Sequence, residues 1–112
     1  MKVGELVPQP DQCETFKHSR IRFVPEKSGS YVLATFSREI LYIGLSVNLR
    51  KRMKKHLDNP SKTGITKTGR AVLFFWIESD EIHKIERTWL NMHVQCEGRW
   101  PELNKVYSPV ST

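Results

Sequence analysis

Apolar positions along the chain fall into two strand-like blocks, two helical stripes and one unbroken run. Tyr31–Phe36 and Ile40–Ile43 are rich in β-branched and aromatic residues and flank the polar link Ser37–Glu39. That arrangement predicts a β-hairpin. After it the period changes. Leu49, Met53 and Leu57 recur at i, i+4 and i+8, one stripe of a helix capped by Ser46 or Asn48. Ala71–Ile77 (AVLFFWI) is continuously apolar, and its length and aromatics predict a buried central strand. Ser79 or Asp80 then caps a second helix, running to about Gln95, with Ile82, Ile85, Trp89 and Met92 as its core stripe.

The flanks are less regular. Residues 1–24 read as an N-terminal arm, partly disordered, with Pro8 and Pro10 among scattered polar groups. Arg20–Pro25 alternates polar and apolar positions and predicts a short edge strand closed by its proline. Residues 25–112 then form the domain proper. Within it, Asn59–Arg70 carries Pro60, Gly64 and Gly69 and reads as a mobile basic loop. Trp100–Tyr107 forms a C-terminal segment. Trp76, Trp89 and Trp100 are expected in the core, with Trp100 the best placed of the three to stack on a base. The expected fold class is α/β, with a small three-stranded antiparallel or mixed sheet flanked by helices.

A chain of 112 residues with 38% apolar content supports one domain and one modest core. Its net charge is +6, but the distribution matters more than the total. Between residues 50 and 70, eight cations (Arg50, Lys51, Arg52, Lys54, Lys55, Lys62, Lys67 and Arg70) face one acid, Asp58, giving +7 and leaving about −1 elsewhere. A basic stripe on a near-neutral body is the electrostatic footprint of a polyanion partner. Cys13 and Cys96 show no CxxC spacing and imply neither a disulfide framework nor a zinc site, and a reducing compartment fits them. No apolar run approaches the length of a membrane span and no signal-peptide core is present, so a cytoplasmic location is expected, nucleoid-associated in a prokaryote.

Helical phase also sorts the reactive side chains. Arg50, Lys51, Lys54 and Lys55 occupy the watery arc of the first helix. Arg52 and His56 sit side by side on the margin of its apolar stripe, where a side chain is half buried and held. Glu86 takes the same marginal position on the second helix, beside Trp89 and Leu90. An acid at a core edge costs desolvation energy unless a positive charge, a metal ion or Arg52, meets it.

The spacing of these groups matches a known family. GSY (29–31), ten residues, YIG (42–44), then S-x-N-L-R-K-R and a histidine, with a helical glutamate and a late asparagine, resembles the GIY-YIG endonuclease domain over about Gly29 to Asn104. Residue by residue, the resemblance implies that Tyr31, Tyr42, Arg52, His56, Glu86 and Asn104 form the catalytic set. Glu86 is then the metal ligand, for Mg²⁺ (or Mn²⁺), with no small-molecule cofactor. Ser30 departs from the family pattern in the middle of the first motif, and Leu45 departs just after the second.

The residue types suit phosphodiester hydrolysis, which needs an activated water, neutralised phosphate oxygens and a stabilised leaving oxygen. Arg52 is always charged and offers fixed donors to a phosphate. Tyr31 is expected to be the general base or part of a relay, its phenol lowered from about 10 by nearby positive charge. His56 would assist proton transfer and Tyr42 would orient water or phosphate, while Asn104 fixes local structure. Lys51, Lys54, Lys55, Lys62, Lys67 and Arg70 are expected to contact the nucleic-acid backbone. The implied function is metal-dependent hydrolysis of DNA, double-stranded or branched, with a homodimer as one route to double-strand cleavage. The alternative is a basic nucleic-acid-binding module without catalysis. Gly64–Ala71 (GITKTGRA) imitates a phosphate-binding loop but has Arg70 and Ala71 where lysine and a hydroxyl are required, and it precedes a strand.

Overall fold

The computed structural model describes residues 1–104; the rest of the expected C-terminal segment lies outside the described residues. The described residues hold four strands: β1 (Gln12–Thr15), β2 (Gly29–Ala34), β3 (Ile40–Ser46) and β4 (Leu73–Glu78). They pair antiparallel throughout in the order β1-β4-β2-β3. Helices α1 (Leu49–Leu57), α2 (Pro60–Thr63) and α3 (Ile82–Glu97) complete the α/β architecture.

The fourth strand comes from the segment expected to be an irregular arm. β1 has the sequence QCET, with no apolar signal, and it forms because the backbone of β4 is open beside it, Cys13 lying opposite Phe75. The arm is further tied in by Val3 and Leu6, both buried. Arg20–Pro25 is not a strand: His18–Phe23 coils into a 3₁₀ helix. The Arg22 and Val24 carbonyls bond to the Arg50 guanidinium, at 3.2 and 2.7 Å, in place of a neighbouring strand. Asn59–Arg70, read as a mobile loop, holds the short α2 and a tight turn in which Thr66 and Gly69 exchange backbone hydrogen bonds of 2.8 and 3.2 Å.

Strand alternation divides the core between the two sheet faces. Tyr31, Leu33, Tyr42, Phe74 and Trp76 cluster with Leu49 and Met53 of α1 on one face. Val32, Ala34, Ile43 and Phe75 cluster with Trp89 of α3 and with Val3 and Leu6 on the other. The stripe expected on α3 slips at its end, because His93 is buried in place of Met92 and its Nδ1 donates to the Arg99 carbonyl at 2.8 Å, tying down the chain after the helix. Trp76 and Trp89 are core residues, whereas Trp100 is 38% exposed and falls outside the core expected for it. Asn48, rather than Ser46, caps α1 by accepting from the Lys51 amide at 3.1 Å. Ser30, the residue that departs from the first motif, is fully buried and donates to the Ile82 carbonyl at 3.1 Å, tying β2 to the start of α3.

Candidate active site

Strand β3 lies at one edge of the sheet, so side chains from α1 on one face and α3 on the other can meet around it. Tyr31 stands on β2 opposite Gly44 of β3, and Tyr42 stands two residues before that glycine. The register places both phenols on the α1 face. Their ring centroids are 6.0 Å apart, and the His56 ring lies 5.5 Å from Tyr31 and 5.0 Å from Tyr42. The Tyr31 hydroxyl sits 2.6 Å from His56 Nε2. Phe74 stacks against the Tyr31 ring at 5.2 Å and fixes its plane.

Gly44 makes this approach possible. A Cβ there would lie 2.6 Å from the Tyr31 hydroxyl and 2.8 Å from the Tyr42 ring. Gly44→Ala is therefore expected to displace both rings and lower stability by about 1–3 kcal/mol, measured by urea unfolding.

Burial governs the proton affinities. Tyr31 is fully buried, and desolvation, with the Tyr42 charge, pushes its phenol well above 10 even though Arg52 acts in the opposite direction. In the chain alone, loss of water outweighs the one guanidinium that was expected, together with a metal ion, to lower the Tyr31 phenol. Tyr42, 5% exposed, is also raised by burial and by the Glu86 charge, against the lowering effect of Tyr31 and Arg52. His56 is pushed down from 6.5 to about 3 by burial and by the charges of Lys62, Arg52 and Lys55. It is neutral near pH 7, so Nε2 can accept the hydrogen bond of the Tyr31 hydroxyl when the ring carries its own proton on Nδ1.

The His56 shift has a consequence for stability. An unfolded chain takes up a proton at this residue near pH 6.5, whereas the folded one resists until about 3. Stability contributed by the neutral ring is complete above 6.5 and is lost as the pH falls toward 3. By pH 4 the loss from this group is expected to reach about 3 kcal/mol. Thermal melts between pH 7 and 4 should show the His56→Gln variant falling less steeply than the wild type.

Arg52 is half buried on α1, and one Nη1 donates to the Leu45 carbonyl at 3.4 Å. It acts on Tyr31, Tyr42 and His56 together. Glu86, half buried on α3, is raised by desolvation against the lowering influence of His83 and Arg87, and its charge reaches Tyr42. Asn104 uses both ends of its amide on the residue after Tyr42: Oδ1 accepts from the Ile43 amide and Nδ2 donates to the Ile43 carbonyl, each at 2.9 Å. Leu103 adds a bond from its amide to the Leu41 carbonyl at 2.8 Å, so this segment braces the β3 edge. The two tyrosines, Arg52 and His56 thus form one cluster, Glu86 acts on it electrostatically, and Asn104 holds the strand beneath it.

The family model of the GIY-YIG catalytic domain matches residues 27–99. This chain belongs to the GIY-YIG catalytic domain family. That membership makes it a nuclease-type enzyme at the level of the family, and GIY-YIG nucleases act on DNA. No curated protein sequence matches the chain. In this GIY-YIG domain no described helix is long and apolar enough to cross a membrane.

Its basic stripe does not remain a single face. Lys51, Lys54 and Lys55 are exposed on α1, with Lys54 bonded to Asp58 at 2.8 Å; His18 lies 2.8 Å from the same carboxylate. Lys67 and Arg70 are exposed on the turn after α2. Lys62 instead lies with its ammonium 5.0 Å from the centre of the Tyr42 ring. Arg50, placed by helical phase on the watery arc, reaches back to brace the 3₁₀ segment. Periodicity assigns a Cα position, and a long flexible side chain can leave the arc it starts on.

Proposed function

We propose that this chain hydrolyses DNA phosphodiester bonds with the help of a divalent metal ion. The observation that carries the reading is the meeting of two phenols, an imidazole and a guanidinium at the β3 edge, with the Glu86 charge acting on the same cluster from the opposite helix.

Glu86 would hold the metal. No group of three or more His, Cys, Asp or Glu is gathered among the described residues, so a transition-metal cage has no support there. A single hard carboxylate fits Mg²⁺ or Mn²⁺, with water and phosphate oxygens filling the remaining positions. Burial already makes the lone Glu86 charge unfavourable, and a cation would relieve that cost. When bound, such an ion polarises the phosphate and activates water.

The chain supplies the rest. Arg52 offers fixed donors to phosphate oxygens as charge builds on them. Tyr42, the less buried phenol, lies on the substrate side. Tyr31 sits behind it and is the inner member of the relay, since a free phenolate is too costly at full burial. Its hydroxyl is held on the neutral His56 Nε2, which leaves the phenol oxygen to accept a hydrogen bond from the outer side. Asn104 holds the peptide after Tyr42. Lys51, Lys54, Lys55, Lys67 and Arg70 would attract the DNA backbone, so binding should weaken steeply with salt.

Incubation of supercoiled plasmid with Mg²⁺ or with EDTA tests the reading. Nicking is expected with Mg²⁺, none in EDTA, and none from a Glu86→Ala preparation purified in the same way. A protein that binds duplex but nicks nothing would support the non-catalytic module instead. Nicking that persists both in EDTA and in the Glu86→Ala preparation would mark a contaminating nuclease.

A further inference from the structure

We propose that Lys62 is a positioning residue of the reactive cluster, fixing the Tyr42 ring and placing a second positive charge beside Arg52. The inference rests on the nuclease reading of that cluster and adds a member to it from α2.

The local fold explains why this lysine turns inward. Asn59 caps α2 by accepting from the Ser61 amide at 3.0 Å, Pro60 stands in its first turn, and the Gly64 amide closes it on the Pro60 carbonyl at 3.1 Å. With both ends of one turn fixed directly after α1, residue 62 faces the β3 edge. The Lys62 ammonium lies 5.0 Å from the Tyr42 ring centre, within the range of a cation–π contact. The side chain is only partly exposed, so solvent screens this charge less than it screens Lys51 or Lys67.

Two effects follow for the reaction. The ammonium holds the outer phenol by its face and leaves the hydroxyl edge for substrate. It also adds to the burial that keeps His56 neutral. That ring is met by Tyr31 from β2, Tyr42 from β3, Arg52 and Lys55 from its own helix and Lys62 from α2, and Lys62 has the largest effect of the three cations. A neutral imidazole is the form whose Nε2 accepts the Tyr31 hydrogen bond and so holds the inner phenol in place. A merely peripheral phosphate contact would do neither.

Lys62→Met keeps the length and apolar stem and removes the charge. Single-turnover nicking of a 20-base-pair duplex with Mg²⁺ is expected to slow by roughly tenfold, with duplex affinity changed by less than about threefold. NMR titration of the His56 imidazole, read without DNA or metal, should move its protonation to higher pH in Lys62→Met and leave it in place in Lys67→Met. Lys62→Arg should restore both. An unchanged His56 titration, or weakened affinity with an unchanged cleavage rate, would overturn the proposal. If the wild type cuts nothing, the nuclease reading fails by itself, and the titration still decides whether Lys62 acts on His56.

Discussion

Glu86→Ala is expected to slow single-turnover nicking of a DNA duplex by about 10³-fold while leaving duplex binding intact, because Lewis-acid assistance contributes several kcal/mol and each tenfold in rate corresponds to about 1.36 kcal/mol. Binding should survive because the cations that attract phosphate, Lys51, Lys55, Lys67 and Arg70, lie elsewhere on the surface. Stability should rise if it changes at all, since a desolvated carboxylate is removed. Glu81→Ala, at the exposed start of the same helix, supplies the control and should cut at the wild-type rate. A Glu86→Ala variant that cuts within a few-fold of the wild type would remove the carboxylate from the chemistry.

Tyr31→Phe is expected to cost between about 10² and 10⁴ in rate, the usual range for loss of a positioned acid or base. The ring would still stack on Phe74 and still face Gly44, so the packing that shapes the site is retained. What disappears is the hydroxyl 2.6 Å from His56 Nε2. That loss leaves a buried nitrogen unpaired, and a stability cost of about 1–3 kcal/mol should accompany it. Rates are therefore to be compared at a temperature where circular dichroism finds both proteins folded. A rate close to the wild type would show that proton transfer does not pass through this phenol.

The hairpin, α1, the β4 run and α3 were legible because each is written as a hydrophobic period that one face of the core satisfies. β1 was not, since QCET has no apolar signal and is held by backbone pairing with β4. Family spacing named the residues of the cluster, but their proton affinities depend on solvent exclusion, which spacing does not encode. Tyr31 illustrates this: the nearby guanidinium was readable, whereas the full burial that outweighs it was not. Gly44 belonged to a recognisable motif, yet its physical task became apparent only when Tyr31 was found across the ladder. Lys62 looked like one more cation of a basic loop, because the turn that directs it inward depends on the Asn59 cap and Pro60.

A double-mutant cycle on Tyr31 and Glu86 asks most directly whether groups from opposite faces of the sheet serve one transition state. Single-turnover nicking rates would be measured for Tyr31→Phe, Glu86→Ala and the pair. Residues that act as a unit are strongly non-additive, so the double variant should be little slower than the worse single one. Losses that multiply, or a single variant that cuts at the wild-type rate, would contradict a shared site at the β3 edge.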